Sequence, residues 1–315
     1  MQSPVVIVSN TFQSFDELCG QLRGVDLELI PLRAGPVSGR TKTLIGDSFI
    51  FTAGKFVSDH RFRGTTHESQ ILLGMHFGRN GTAYYQTMPG EVGDLTLHQP
   101  KHEDFGSMRG TYEYAALSID PAELAGLADG MAGNDTILER SAHIRAPHAV
   151  ADFASSSLAK LTEVVFDPVT LRSAARLEML KRAVLYPYLL VAAHETEEGD
   201  SAAHPPNANI VRSAERWLDG EPPERLHVID LCRALNLPLR TVQRAFHETL
   251  GMGPARYLAY YRLHKVRQAL LHCDPTTTRV TDIALDQGFW ELGRFAGLYR
   301  KTYGERPSET RRRRV

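Results

Sequence analysis

Three cysteines in 315 residues, Cys19, Cys232 and Cys273, form an odd, scattered set that argues against a disulfide framework and fits a reducing compartment. No apolar run approaches the ~20 residues of a membrane-spanning helix. The opening stretch Met1-Gln-Ser-Pro-Val-Val-Ile-Val-Ser-Asn10 also lacks the charged start and long apolar core of a signal peptide, so a cytoplasmic chain is expected. Net charge is nearly absent as well, at -1, yet that figure is a cancellation. Residues 207 to 315 hold 19 Lys and Arg against 12 Asp and Glu, leaving 17 against 25 in residues 1 to 206. What the chain does have is apolar material: 42 % hydrophobic content supports ordered cores, and the length suits two domains of ordinary size.

The basic part repeats itself. Val228-Ile-Asp-Leu-Cys-Arg-Ala-Leu-Asn-Leu-Pro-Leu-Arg-Thr-Val-Gln-Arg-Ala-Phe246 and Val280-Thr-Asp-Ile-Ala-Leu-Asp-Gln-Gly-Phe-Trp-Glu-Leu-Gly-Arg-Phe-Ala-Gly-Leu-Tyr299 align at an offset of 52, with Asp230 over Asp282 and Asn236 over Gly288. Each copy reads as a short helix, a tight turn and a second helix, the pattern of a DNA reader. The corner needs left-handed backbone, which Gly and, next best, Asn adopt cheaply. Leu231, Leu235, Val242 and Phe246, then Ile283, Phe289, Phe295 and Tyr299, recur at helical spacing and give each unit a small core. The second helix of the first copy keeps Arg240, Thr241, Gln243 and Arg244 for its outer face, groups able to bond base edges and phosphates in a major groove. Between the copies, Pro254 to Leu271 reads as one helix of roughly 25 Å, a rigid spacer suited to reading surfaces about 34 Å apart. A net positive domain also supplies the phosphate attraction that positions a protein on DNA. The closing Arg311 to Arg314 run is either a phosphate contact or a solvated tail.

Residues 207 to 313 resemble the DNA-binding domain of the AraC/XylS family of bacterial transcription regulators, over about a third of the chain. The motifs are Arg240-Thr-Val-Gln-Arg-Ala-Phe246, Leu250-Gly-Met-Gly-Pro-Ala-Arg-Tyr-Leu258, Arg262-Leu-His-Lys-Val-Arg-Gln-Ala-Leu270, Ile283-Ala284 with Gly288-Phe289, and Tyr299-Arg-Lys-Thr-Tyr-Gly-Glu-Arg-Pro307. The resemblance implies that Arg240, Gln243 and Arg244, with Thr241 beside them, make most base contacts. The second copy would present Trp290 and Arg294, with Arg300 and Lys301 towards phosphate. Leu292, Gly293 and Gly297 offer no side-chain hydrogen bond there, so weaker base discrimination is expected from this copy. Operator DNA and RNA polymerase are the implied partners, activation is the implied sign of regulation, and no cofactor is implied.

The first half reads differently. Short apolar runs such as Phe49-Ile-Phe51, Ile71-Leu-Leu-Gly-Met-His-Phe77, Ala83-Tyr-Tyr85, Leu95-Thr-Leu97 and Tyr114-Ala-Ala-Leu-Ser-Ile119, punctuated by Gly and Pro, are expected to be antiparallel strands of a barrel or sandwich. Pro89-Gly-Glu-Val-Gly-Asp-Leu-Thr-Leu-His-Gln-Pro100 is similar to the late hairpin of cupin-like sensor domains. The expected fold class is therefore α+β: a cupin-like sensor barrel over 1 to 147, a helical segment over 148 to 193, a linker over 194 to 206 and the all-α DNA-binding domain over 207 to 315. In the helical segment, Leu177, Leu180 and Val184 stand at helical spacing, either as a dimer interface, which the resemblance implies, or as packing on their own domain.

A barrel of this size encloses a pocket for one small ligand. Residues 31 to 66 carry Arg33, Arg40, Lys42, Lys55, Arg61 and Arg63 against only Asp47 and Asp59, so Arg33, Arg40, Arg61 and Arg63 are candidates for an anionic effector, a carboxylate or a phosphorylated signal. A solvated strand face is the competing reading. An enzyme is the other class of function to weigh. A cupin-type metalloenzyme with a helical appendage would need converging ligands, and His60, His67, Glu68, His76, His98 and His102 lack a His-x-His pair, so no metal is expected. Domains of this DNA-binding type also occur fused to alkyl-transfer repair domains, but Cys19 has no adjoining Cys or His to activate it.

Overall fold

A computed structural model describes residues 5–22, 25–35, 37–78, 80–86, 88–128, 139–168, 173–196, 206–222, 226–274 and 276–313. Most of the expected linker, together with Leu171 and Arg314, lies outside the described residues. The chain divides into two compact units: Met1–Glu28, Val37–Ser58 and Phe62–Ala203 form the first, and Leu29–Pro36, Asp59–Arg61 and His204–Val315 the second.

The strands are β1 (Val6–Phe12), β2 (Val25–Pro31), β3 (Ser38–Ile45), β4 (Phe49–Val57), β5 (His60–Thr66), β6 (Ile71–His76), β7 (Gly81–Tyr85), β8 (Met88–Gly90), β9 (Leu95–His98), β10 (Glu103–Ile119) and β11 (Ala142–Ile144). With them come α1 (Phe15–Gln21), α2 (Pro121–Ala128), α3 (His148–Val164) and α4 (Ala174–Ala193). Strands pair in the order β1-β3-β4-β10-β6-β9-β11, antiparallel in every register described, while β5 and β7 also join β10. The long β10 changes partners along its length at Gly110, whose φ of +83° is left-handed backbone. Its first part, Gly106 to Gly110, pairs with β7, and Thr111 to Ile119 pair with β4. The result is an open, cupin-like antiparallel barrel.

Period-two alternation gives this sheet two unlike faces. Registers Leu44↔Phe51, Phe51↔Leu117, Leu117↔Leu73 and Leu73↔Leu97 line up one apolar row across five strands. Against that row pack Leu158 of α3 and Leu177, Leu180, Val184, Leu185 and Tyr188 of α4, all buried in one cluster. Pro187 lies inside α4 and is buried there, a proline the apolar spacing tolerates without ending the helix.

The second unit is helical: α5 (Pro206–Gly220), α6 (Val228–Leu235), α7 (Leu239–Leu250), α8 (Pro254–His272), α9 (Val280–Asp286), α10 (Leu292–Tyr303) and α11 (Pro307–Arg312). Its core gathers Val211, Leu231, Val242, Phe246, Tyr257, Tyr261, Phe295 and Tyr299, and takes in Ile30 and Leu32 from the first of its short early pieces. Arg61, from the other piece, is 2 % exposed and holds Glu215 of α5 by two parallel bonds of 2.9 Å, while the Tyr257 hydroxyl donates to the same carboxylate at 2.6 Å. Three polar groups therefore satisfy one another where neither charge could stand alone.

Candidate nucleic-acid interface

The first corner is built by α6, Asn236 and α7. Asn236 sits at φ 51° and ψ 43°, the left-handed conformation expected of it. Its N–H donates to Arg233 O at 3.1 Å, and the next N–H, of Leu237, donates to Cys232 O at 3.0 Å. The second corner repeats both bonds 52 positions on: Gly288 N–H to Leu285 O at 2.8 Å and Phe289 N–H to Ala284 O at 2.9 Å, with Gly288 at φ +77°. The duplication seen in the sequence is thus a duplication of hydrogen-bonded geometry.

On α7 the buried stripe is Val242, Ala245, Phe246, Thr249 and Leu250. The opposite stripe, at i, i+3, i+4 and i+7, is Arg240, Gln243, Arg244 and His247, all exposed, with Thr241 half-buried beside it. Among the described residues, no carboxylate or other side chain engages Arg240, Gln243 or Arg244. Two guanidinium forks and an amide are therefore presented together, the chemistry that bonds guanine, adenine and phosphate edges. His247 went unnamed in the sequence reading; its place one turn beyond Arg244 was the available signal.

On α10 the outer surface is sparser. Trp290 is 76 % exposed ahead of the helix, and Arg294 has a side chain 85 % exposed, though tied to Glu291 at 2.8 Å. Arg300 and Lys301 are exposed in the last turn. Leu292 packs partly into the core, and a Cβ added at Gly293 or Gly297 would meet nothing within 4 Å. These two glycines answer no internal packing need and leave the helix surface flat.

The spacer helix α8 anchors what lies around it. Arg267, 2 % exposed, reaches Glu305 at 3.0 Å, bonds the Tyr299 hydroxyl at 3.2 Å and lies 4.4 Å from the Tyr303 ring centroid. Tyr261 donates to Asp219 at 2.7 Å, and Arg262 donates to the Leu226 carbonyl. Arg267 thus ties the second reading helix to the rod, and Tyr261 and Arg262 tie α5 and the segment before α6 to it.

The four arginines proposed for an effector divide between the two units, Arg33 and Arg61 in the second and Arg40 and Arg63 in the first. Arg61 is enclosed with Glu215 in the second unit, Arg63 is paired with Glu28, and Arg33 lies 3.8 Å from Asp59 with a side chain 75 % exposed. Arg40 is exposed on β3. Leu177, Leu180 and Val184 point into the first unit's own core, at 9 %, 8 % and 3 % exposure, which leaves Met179 and Tyr186 as the large exposed apolar side chains of α4.

The sheet face turned away from α3 and α4 is buried but polar. Registers place His76 beside Tyr114, and His98, Thr96 and His143 along the same side. His76 Nδ1, His98 Nδ1, Asp104 Oδ1, Ser107 Oγ and the Tyr114 hydroxyl are buried with no hydrogen-bond partner among the described residues. Burial lowers His76 to about 4 and lowers His98 as well, so both rings are neutral near pH 7. Burial pushes Asp94 up, but hydrogen bonds from His143 and Arg145 outweigh it and hold the carboxyl below its usual range. Of the other histidines considered as ligands, His60 belongs to the second unit and His67 accepts from Ser69 N–H at 3.2 Å. Among the described residues no group of three or more His, Cys, Asp or Glu is placed to hold one ion.

Fold and surfaces together define a class, an α+β protein whose helical unit carries two helix-turn-helix corners. A family model described as a helix-turn-helix domain matches residues 231–313. This helix-turn-helix domain is of the AraC/XylS type found in transcription regulators. It is 38 % identical over 122 residues to the probable thc operon regulatory protein of Rhodococcus erythropolis, covering 38 % of this chain and 37 % of that protein. It is 40 % identical over 75 residues to XylDLEGF operon transcriptional activator 1 of Pseudomonas putida, covering 24 % of this chain and 23 % of that one. The alignments thus span about a third or less of these two relatives' length. Among solved structures, a probable AraC family transcriptional regulator from Rhodopseudomonas palustris CGA009 is 33 % identical, covering 34 % of this chain and 99 % of that one at a TM-score of 0.31. No helix among the described residues is long and apolar enough to cross a membrane.

Proposed function

We propose that this protein is an operator-binding transcription activator of the cytoplasm, working as a homodimer under the control of a small effector bound by its first unit. One observation carries the reading: two corners with the same hydrogen bonds, each followed by a helix whose exposed face is cationic or bare. Arg240, Gln243 and Arg244, with Thr241 beside them, read bases; Trp290 and Arg294 add a weaker second contact, and Arg300 and Lys301 take phosphate. Since Leu177, Leu180 and Val184 are occupied inside their own unit, subunit pairing through α4 falls to its exposed side, at Met179 and Tyr186. The effector acts by population shift, binding better to the arrangement in which both copies of the DNA-binding unit dock together, and RNA polymerase is the partner that reads the result. Catalysis is no part of this reading, because the relatives that match are regulators.

The test is recovery of sheared genomic DNA on the purified full-length protein, followed by salt-titrated gel shifts on the enriched fragments. Enrichment of a shared sequence is expected. A protein that retains all fragments equally, or none at low ionic strength, is not a regulator of this kind.

A further inference from the structure

A groove of about 400 Å³ opens in the first unit between the helix-covered side of the sheet and α3. Strand register decides what lines it. Arg40 on β3 stands directly opposite Lys55 on β4, and Lys42 lies two positions on along the same side. Like charges directly opposite on neighbouring strands destabilise a sheet. Lys55 is relieved from its other neighbour, since Glu113 of β10 is its register partner and bonds it at 2.5 Å. Arg40 has no such relief: it is exposed, and among the described residues no carboxylate pairs with it. The Lys42 ammonium lies 5.8 Å from the Phe166 ring centroid. The floor is apolar, made by Phe77 and Phe166, and the far wall is α3, which brings the groove's one other carboxylate, Glu163.

We infer that this groove binds a small amphipathic monocarboxylate, an aryl-alkyl or medium-chain acid, with its carboxylate on Arg40 and Lys42 and its apolar body on Phe77 and Phe166. The inference rests on the reading of the first unit as a sensor and names the ligand class for it. The Arg40 guanidinium fork donates to a carboxylate bidentately, the Lys42 ammonium adds a second cation, and the ligand's negative charge relieves the repulsion between Arg40 and Lys55. One negative charge is the right number, because Arg40, Lys42 and Lys55 against Glu113 and Glu163 leave the lining with a single positive charge in excess. The volume lies within the range of small-molecule pockets, about 300 to 1,000 Å³. A ligand seated there touches both β3 and α3, so occupancy ties the sheet to the helical segment. The buried polar face of the barrel is a different site with a different chemistry, neutral imidazoles and hydroxyls.

The probes are the sodium salts of 3-phenylpropionate and octanoate, with 3-phenylpropionamide as the uncharged control, titrated calorimetrically into the full-length protein. Both acids bind, and the amide binds at least about tenfold more weakly. Arg40→Ala with Lys42→Ala lowers acid affinity about tenfold to a hundredfold, the size of a lost charge-assisted contact. Both side chains are exposed, so the variant folds, which circular dichroism verifies. Tyr114→Phe, on the buried polar face, leaves acid affinity unchanged. The inference is overturned if neither acid gives heat at millimolar concentration, if acid and amide bind alike, or if Tyr114→Phe and not the double variant removes binding. Gel shifts with and without acid report the sensor reading separately. Acid binding that leaves DNA affinity unmoved keeps the groove and removes the control, whereas a neutral metabolite that shifts DNA affinity, with no acid binding, keeps the control and removes the groove.

Discussion

Gly297 stands in the interior of α10, where glycine costs a helix about 1 kcal/mol relative to alanine, Gly293 stands in its first turn, and no neighbour forbids a side chain at either. A residue that costs stability without an internal reason invites an explanation from outside, and under the proposed function that is a sugar-phosphate backbone close to the helix surface. Gly297→Ala is therefore expected to raise unfolding free energy by about 0.5 to 1 kcal/mol while weakening operator binding severalfold. A stabilised variant with unchanged affinity in a gel shift would remove α10 from the interface. His76 carries a second prediction at this scale. Burial takes it to about 4 from an ordinary 6.5, so as pH falls the unfolded chain is protonated first and stability is lost between those values; above pH 6.5 the contribution is fully present. His76→Phe keeps a ring against Tyr112, 5.5 Å away between centroids, but cannot titrate. The fall in unfolding free energy from pH 7 to pH 5, measured in urea, should shrink by about 2 kcal/mol in the variant. An identical fall in both proteins would mean that His76 is not the group responsible.

At the scale of elements, the helical unit was legible because its signals are local. Asn236 and Gly288 announce left-handed corners, and apolar spacing marks both helices of each copy, so reading and geometry agree to within a residue or two. Strand positions were equally visible through alternation, as at Leu95 and Leu97 against Thr96 and His98. Partners distant in sequence were not visible. Nothing local to Arg61 says that its counter-charge is Glu215, 154 residues away, and the same excess of arginines that suggested an anion site was in part already neutralised by Glu215, Glu28 and Asp59. Leu177, Leu180 and Val184 show the same limit, since helical spacing marks an apolar face without saying what covers it. The Arg61 to Glu215 pair is open to a double-mutant cycle. Glu215→Leu alone strands a buried guanidinium and should cost about 3 to 5 kcal/mol, and Arg61→Met alone should cost a comparable amount. The two together should cost less than either, because the remaining charge is gone. Additive losses in chemical denaturation would show that the two residues act separately.

For the whole molecule the deciding quantity is where charge sits. A chain with net charge -1 has no general attraction to DNA, yet 19 Lys and Arg against 12 Asp and Glu after residue 206 give the second unit a local one. The acidic first half opposes indiscriminate binding, and under the proposed function affinity depends on presenting α7 and α10 to the duplex at once. This separates two kinds of variant by salt. Each phosphate contact contributes a slope of about -0.9 to the logarithm of affinity against the logarithm of salt concentration. Arg300→Ala with Lys301→Ala should therefore make the slope shallower by about 1.8 and weaken every sequence alike. Gln243→Ala, or Arg244→Ala where it meets a base, should cost about 1 to 3 kcal/mol on the preferred operator, relax the preference at one or two base pairs, and leave the slope nearly unchanged. Competition gel shifts over a range of potassium chloride, with operator and scrambled duplexes side by side, measure both quantities in one experiment. If all three variants change slope and preference in the same proportion, the division of labour between the two helices is wrong, and the second copy reads sequence as fully as the first.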